Sequence, residues 1–428
     1  MFPQLPDQTM CHLSLNRRGE ITRRDFVRIA GASFLGSGLL GSIGLSADQL
    51  KKEGRACILV WLAGAPSQIE LWDPKPGTSN GGETKAIKTA ASGIQIAHYW
   101  PKLAERIKEA SVIRTIVGKE AAHERGTYHL HTGHRLTGAT KYPALGSIVA
   151  HELGDPKSDM PNFVSVGNTL SSGFLGIQFA PFEVDAPGQL PENVAKLVEE
   201  KRLAKRLELL KAQDDDFSKA GASKLVGEHD MLYQRARKLM ASPRLKAFQL
   251  EEESSAAKEA YGNNRFGQGL LVARRLVESG IPFVEVSKGG WDMHNDLYKR
   301  ITGNAAETDQ GLSQLLADLK QRGLLDRTLV ICMGEFGRTP KINSRAGRDH
   351  WARNFNVLLA GAGIRGGQAI GKTDANGQEI SDRPVSVEDL FQTVCQALHI
   401  EAGKELFTPE GRPIKIVDGG AAVKELFA

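Results

Sequence analysis

Hydrophobic positions along this chain fall into two alternating patterns. Short apolar runs at 56–62, 111–117, 162–167, 281–287, 329–332 and 354–360 carry turn-forming residues at their ends and have the make-up of buried strands. Helix-length segments lie between them at 101–109, 144–153, 265–280 and 307–322, the first with Pro in its opening turn and the third ended by Gly. A last helix is expected over 386–399, where Ser386 and Asp389 have capping-box spacing. Strands alternating with helices predict an α/β fold with a mostly parallel central sheet sandwiched by helices. Residues 191–260 depart from this rhythm: Leu203, Leu207 and Leu210 recur on one helical face amid dense charge, and Glu251 to Glu253 form an acidic run. They predict a helical insertion that covers the sheet, its apolar repeat too short for a coiled coil.

The stretch 329–367 organises the rest. Two apolar runs flank a polar loop that holds Glu335, Arg338, Thr339, Arg348, Asp349 and His350, with Gly334, Gly337 and Gly347 leaving the backbone free to turn. Open α/β sheets place their chemistry in such loops at strand ends. Strands ending near Leu62, Ser287, Cys332 and Ala360 are therefore expected as neighbours, their carboxyl ends on one crevice. The first run leads to Ser67, Glu70 and Asp73, which read either as nucleophile and ligands or as residues that cap a turn. The 281–287 run leads to Asp292 and His294, which share a face if the chain stays extended. A carboxylate and an imidazole so placed suit a borderline divalent cation, or else they hydrogen-bond and order the loop. His123, His129, His131 and His134 form a cluster, but without His-Glu-x-x-His spacing no zincin-type site follows.

Composition narrows the function class. The chain has 428 residues, 41% hydrophobic and 25% charged, as in ordinary soluble proteins. Its net charge of +5 includes two charges from the first 47 residues, and no basic face with aromatic support appears, so nucleic acid is excluded as a partner. Residues 1–47 read as a twin-arginine signal peptide: Arg23 and Arg24 precede a mildly apolar segment that ends at the small-residue site Leu45-Ser46-Ala47. The glycines of that segment weigh against a transmembrane anchor, and no second span follows. Export through the twin-arginine translocase to the periplasm or cell surface is expected, with 48–428 as one domain. That route carries folded proteins, often with a metal or cofactor already loaded. Cys57, Cys332 and Cys395, left after the leader's Cys11, sit in apolar runs and read as buried thiols.

Gly361-Ala362-Gly363-Ile364-Arg365-Gly366 matches a dinucleotide-binding fingerprint in letters, but turn residues follow it where the phosphate-binding helix belongs. Four other segments carry a family likeness: Asp73-Pro74-Lys75-Pro76, Gly290-Trp291-Asp292-Met293-His294, Gly334-Glu335-Phe336-Gly337-Arg338-Thr339-Pro340 and Gly347-Arg348-Asp349-His350-Trp351. Together they resemble the exported domain-of-unknown-function-1501 family over nearly the whole mature chain. That family looks like a distant branch of the alkaline phosphatase and sulfatase superfamily. The resemblance implies an alkaline phosphatase-like fold and a metal-dependent site above the strand ends, holding a divalent ion such as Zn, Mn, Mg or Ca. It implies Glu70 or Asp73 as the first ligand, Asp292 and His294 as the next, and His350 as the last. Glu335 stands where that superfamily has an Asp-His pair, and it joins Asp349 as a further candidate ligand. Thr127 falls near the nucleophile position with Ser67 in reserve, while Arg338 or Arg348 would clamp an anion. The sulfatase cysteine motif is absent. The implied function is hydrolysis of sulfate or phosphate esters, the substrate being an anionic ester. The alternative is a non-catalytic surface or carbohydrate-binding protein on the same fold.

Overall fold

Seven consecutive residues, Ala56–Leu62 (β1), are all buried and form the middle of a sheet. Their alternation serves two cores. Ile58, Val60 and Leu62 join one apolar cluster, while Cys57, Leu59 and Trp61 join the other, which is why a strand covered on both faces reads as a continuous apolar run. The computed structural model describes residues 54–138, 140–190, 194 and 200–427. The expected signal peptide, with Arg23 and Arg24, lies outside the described residues.

The remaining strands used below are Ala110–Val117 (β2), Phe163–Val166 (β3), Phe182–Val184 (β4), Phe283–Lys288 (β5) and Thr328–Met333 (β6). Gly337–Arg338 (β7) and His350–Trp351 (β8) form a short ribbon, followed by Phe355–Ala360 (β9), Ala369–Ile370 (β10) and Val385–Ser386 (β11). Nine strands make the sheet in the order β10-β2-β9-β6-β1-β5-β3-β4, with β11 also on β2. All neighbours are parallel except around β9, which runs against both β2 and β6. This corrects one expectation, because the Ala360 end of β9 points away from the crevice and its Phe355 end faces it. The loop 334–354 returns to the sheet at the end it left, which only an antiparallel strand permits without a crossover. An apolar run carries no sign of its direction.

Nine helices matter here: Pro101–Arg106 (α1), His123–Thr132 (α2), Leu145–Leu153 (α3), Glu200–Phe217 (α4), Ser223–Ala241 (α5), Ser255–Tyr261 (α6), Arg265–Glu278 (α7), Leu297–Gln321 (α8) and Val387–Leu398 (α9). α7 and α8 bury Leu270, Leu271, Leu312 and Leu315 on one face of the sheet, and α3 and α9 bury Val149, Leu390 and Val394 on the other. The capping box of Ser386 and Asp389 opens α9 as its spacing predicts. α8 starts ten residues earlier than expected, since Leu297, Ile301 and Ala305 extend its buried stripe. Among the described residues of the insertion, Val194, the end of α5 and the turn after it reach the core, the last two through Leu239, Ala247, Phe248 and Leu250. Leu209, Phe217 and Leu225 remain 63–70% exposed, so α4 and most of α5 stand off the sheet instead of covering it.

Cys57, Cys332 and Cys395 are free and buried, and burial pushes the Cys395 thiol up to about 12. Residues 361–363 turn with positive φ and run on into β10, so the glycine fingerprint opens no helix. Among the described residues no helix is long and apolar enough to cross a membrane.

A buried ion pair lies beneath α2, where His131 Nε2 stands 3.1 Å from Glu285 Oε1 and Thr169 donates to the other carboxylate oxygen at 2.5 Å. Burial pulls the His131 pKa down, but the charge and hydrogen bond of Glu285 outweigh it and leave the pKa above 6.5. The stability this pair contributes is therefore complete below pH 6.5 and is lost as pH rises through the folded value. Urea unfolding across neutral and alkaline pH should show that decline in the parent and a flatter profile in Glu285→Gln. Equal slopes in both would exclude the pair as its source.

Candidate metal centre

The site is assembled from four separate stretches at the carboxyl edge of the sheet. After β5 the chain runs extended through Trp291, Asp292, Met293 and His294. Trp291 and Met293 are buried, and Trp291 stacks on Trp100 with ring centroids 6.2 Å apart. Anchoring alternate residues inward turns Asp292 and His294 out into the crevice. Gly64, at φ +107, lets the turn after β1 pass close beneath: a Cβ there would lie 2.5 Å from the Asp292 nitrogen. The β7–β8 ribbon sets Arg338 directly opposite His350, and His123 is the first residue of α2.

The Asp292 Oδ1 atom is the common centre. It lies 3.0 Å from His294 Nε2, 3.4 Å from His350 Nε2 and 3.5 Å from His123 Nε2. Each of these imidazoles has its Nδ1 against an oxygen: His123 on Glu335 at 2.7 Å, His294 on Asp349 at 2.9 Å and His350 on the Ala121 carbonyl at 2.8 Å. These acceptors assign the proton to Nδ1 in all three rings and leave each Nε2 lone pair facing inward. His294 Nε2 and His350 Nε2 are 3.0 Å apart, an arrangement of two acceptors that is repulsive without a proton or cation between them. Ligand atoms of His123, Asp292 and His350 all fall within 4.8 Å of one another, which suits a single divalent ion. Two polar atoms in this cluster are buried without a hydrogen-bond partner, His123 Nε2 and Glu335 Oε2. A buried unsatisfied atom calls for a partner, and an ion held between these side chains would supply one.

Arg338 already brings one positive charge. Its guanidinium is buried, donates to the carbonyls of Ala65 at 2.7 Å and Gly64 at 2.5 Å, contacts His294 Nε2 at 3.3 Å and forms a close ion pair with Asp292. Burial pushes the Asp292 carboxyl up, but Arg338, His294 and His123 together hold it down to about 2. The hydrogen bond that His123 donates to Glu335 raises the His123 pKa, whereas burial lowers that of His350. The Asp349 carboxyl lies below its ordinary value chiefly through its bond to His294.

The structure thus brings Asp292, His294, Glu335, Arg338, Asp349 and His350 together, Glu335 and Asp349 each holding an imidazole by Nδ1. Other sequence candidates stand elsewhere. Glu70 and Arg348 are fully buried and paired with each other through two hydrogen bonds of 3.0 and 2.7 Å, apart from the Asp292 cluster. Asp73 accepts from Thr373 at 2.5 Å and from Lys75 at 3.0 Å, in a polar group of its own. Ser67 is buried with its hydroxyl unpartnered, and Thr127 lies one helical turn beyond His123 on the same face of α2. The residue missing from the sequence-derived ligand set is His123. Its signal was present in the histidine cluster, but nothing in the spacing of four histidines says that the one opening the helix is the one facing the crevice.

An α/β sheet whose carboxyl edge carries three inward-facing imidazoles around one carboxylate defines the class of this protein. The chain belongs to the family described as protein of unknown function (DUF1501), whose family model matches residues 54–427. Among solved structures it is similar to a sulfatase from Pseudoalteromonas sp., at 11% identity over 89% of this chain and 76% of that one, with a TM-score of 0.41. A protein in the alkaline phosphatase superfamily from Vibrio parahaemolyticus matches at 10% identity over 81% and 66% of the two chains, with a TM-score of 0.37. The C-terminal periplasmic domain of EcEptC from Escherichia coli, in complex with zinc, matches at 10% identity over 85% and 92%, again at 0.37. No curated protein matches the sequence.

Proposed function

We propose that this chain is an exported metal-dependent hydrolase of phosphate or sulfate esters, with His123, Asp292 and His350 holding the ion. The observation that carries the reading is the inward convergence of three Nε2 atoms on Asp292 Oδ1, each fixed by an acceptor at Nδ1. Imidazole with carboxylate suits zinc better than magnesium or calcium. When bound, such an ion supplies charge to oxygens that gain electron density as an ester bond breaks. The chain's own residues do the rest. Arg338, with its N–H groups taken by the carbonyls of Gly64, Ala65 and Arg348, by His294 and by Asp292, sets a fixed positive charge beneath the cluster at no reorganisation cost. His294, held at Nδ1 by Asp349, is placed to hold or release a proton at Nε2. Glu335 keeps His123 in the ligating tautomer.

Elemental analysis of the folded protein, run beside His123→Ala and His350→Ala, tests the ion. Metal in the parent and none in either variant is expected, together with hydrolysis of an aryl phosphate or aryl sulfate by the parent alone. Equal metal in all three proteins would sink the assignment. A second reading, a non-catalytic binder of anionic or carbohydrate ligands, draws on the ion pair of Asp292 with Arg338, which already neutralises one ligand. A metal-free parent with no turnover would favour it. For export, replacing Arg23 and Arg24 by Lys should retain the precursor inside the cell, and unchanged export would remove the twin-arginine route.

A further inference from the structure

The α4–α5 hairpin takes no part in the site. Among the described residues most of the large exposed apolar side chains belong to it: Leu209 at 63%, Phe217 at 65%, Leu225 at 70%, Leu232 at 40% and Tyr233 at 39%. Its two helices are joined by a tight turn at Ser218–Ala222, where Gly221 takes φ +99. α5 has 19 residues, so the arm is about 28 Å long at ~1.5 Å per residue. The helices do not close on each other. A groove of about 1060 Å³ runs between them, with Leu207, Leu210, Val226 and Tyr233 among its lining. The groove also holds Asp214, Asp215 and Asp230 together with Arg237 and Lys238, and two helices held apart around such a groove present half of a four-helix bundle.

The arm's charge is polarised along its length. Asp214, Asp215, Asp216 and Asp230 crowd the tip half, where Lys219 stands 3.4 Å from Asp216 and His229 3.5 Å from Asp214. Arg202, Lys205, Arg206, Arg237 and Lys238 are exposed on the half nearer the core. The apolar groups follow the same division: Phe217 and Leu225 lie toward the tip, Leu232 and Tyr233 toward the base, beside Ile177 on the body at 45% exposure. One surface therefore carries both members of a complementary pair. A second copy turned end for end places each acidic tip on a basic base, twice, by two-fold symmetry. The same-direction arrangement sets acid against acid.

We propose that this hairpin is a self-association arm, and that two copies of the chain pair through it antiparallel to form a four-helix bundle. The pairing is independent of the metal centre. It buries the groove's Leu207, Leu210, Val226 and Tyr233 while the charged ends select orientation.

Sedimentation equilibrium of the purified protein should give a dimer in the micromolar range that weakens with salt. A tip-reversed variant carries Asp214→Lys, Asp215→Lys and Asp216→Lys. A base-reversed variant carries Lys205→Glu, Arg206→Glu and Arg237→Glu. Each alone should dimerise at least about 100-fold more weakly, since both of its tip–base contacts become repulsive. An equal mixture of the two should recover the dimer, because opposite charges then meet at both contacts. Recovery on mixing also shows that both variants are folded. A parent that stays monomeric through the micromolar range overturns the proposal, whatever other protein the arm binds. So does a dimer that survives both reversals, or two weakened variants that mixing does not restore.

Discussion

Arg348→Met lowers the free energy of unfolding by about 3–5 kcal/mol, because it leaves Glu70 ionised in the interior with its main partner gone. Both side chains are 0% exposed. Beyond its two bonds to Glu70, the Arg348 guanidinium donates to the carbonyls of Asn80 at 2.7 Å, Thr339 at 3.3 Å and Pro340, so it fastens the loop after β1 to the loop after β6. Glu70→Met should cost a similar amount. The double variant, with Met at both positions, should lie nearer the parent than either single, since no unpaired charge remains. Urea denaturation of the four proteins measures this cycle. A single variant as stable as the parent would contradict the pairing, and loss of metal in step with stability would return Glu70 to the ligand set.

Asp292→Asn removes the one carboxylate at the centre of the imidazoles while keeping its size. Metal affinity and ester hydrolysis should each fall on the order of 100-fold or more, a loss at the upper end of what supporting groups cause. The acid side of the stability profile should change as well. A carboxyl held down to about 2 contributes stability that is complete above its ordinary 3.8 and is lost as pH falls through about 2. The parent should lose more stability across that window than the Asn variant, in which Asp349 and the other depressed carboxyls still titrate. Its side chain is 46% exposed, so solvent screens the effect and the curve's shape is the quantity to compare. Retention of metal and turnover in the Asn variant would remove Asp292 from the site.

Much of this architecture was legible because apolar runs are long where strands are covered on both faces. β1, β5 and β6 sit where their runs predict, and the capping box places α9. Asp292, His294 and His350 were legible because each adjoins such a run. Three things were not. The direction of β9 leaves no trace in a run of apolar letters. The partnership of Glu70 with Arg348 joins residues 278 apart, and an acid and a base in loops look the same whether they meet each other or a ligand. The role of His123 depends on which way the first turn of α2 faces, and that is decided by Phe336 and Glu335 packing against it from another loop.

The reversed strand has a kinetic corollary. β6 and β9 are neighbours, and the segment that bears Glu335, Arg338, Asp349 and His350 departs from one and re-enters on the other at the same end of the sheet. It is a detour within one hairpin. Its closure entropy grows only slowly with length, so residues can be inserted or exchanged there without reordering any strand. Low sequence separation also lets this half of the site form early in folding, before α2 and the 289–296 loop arrive from elsewhere in the chain.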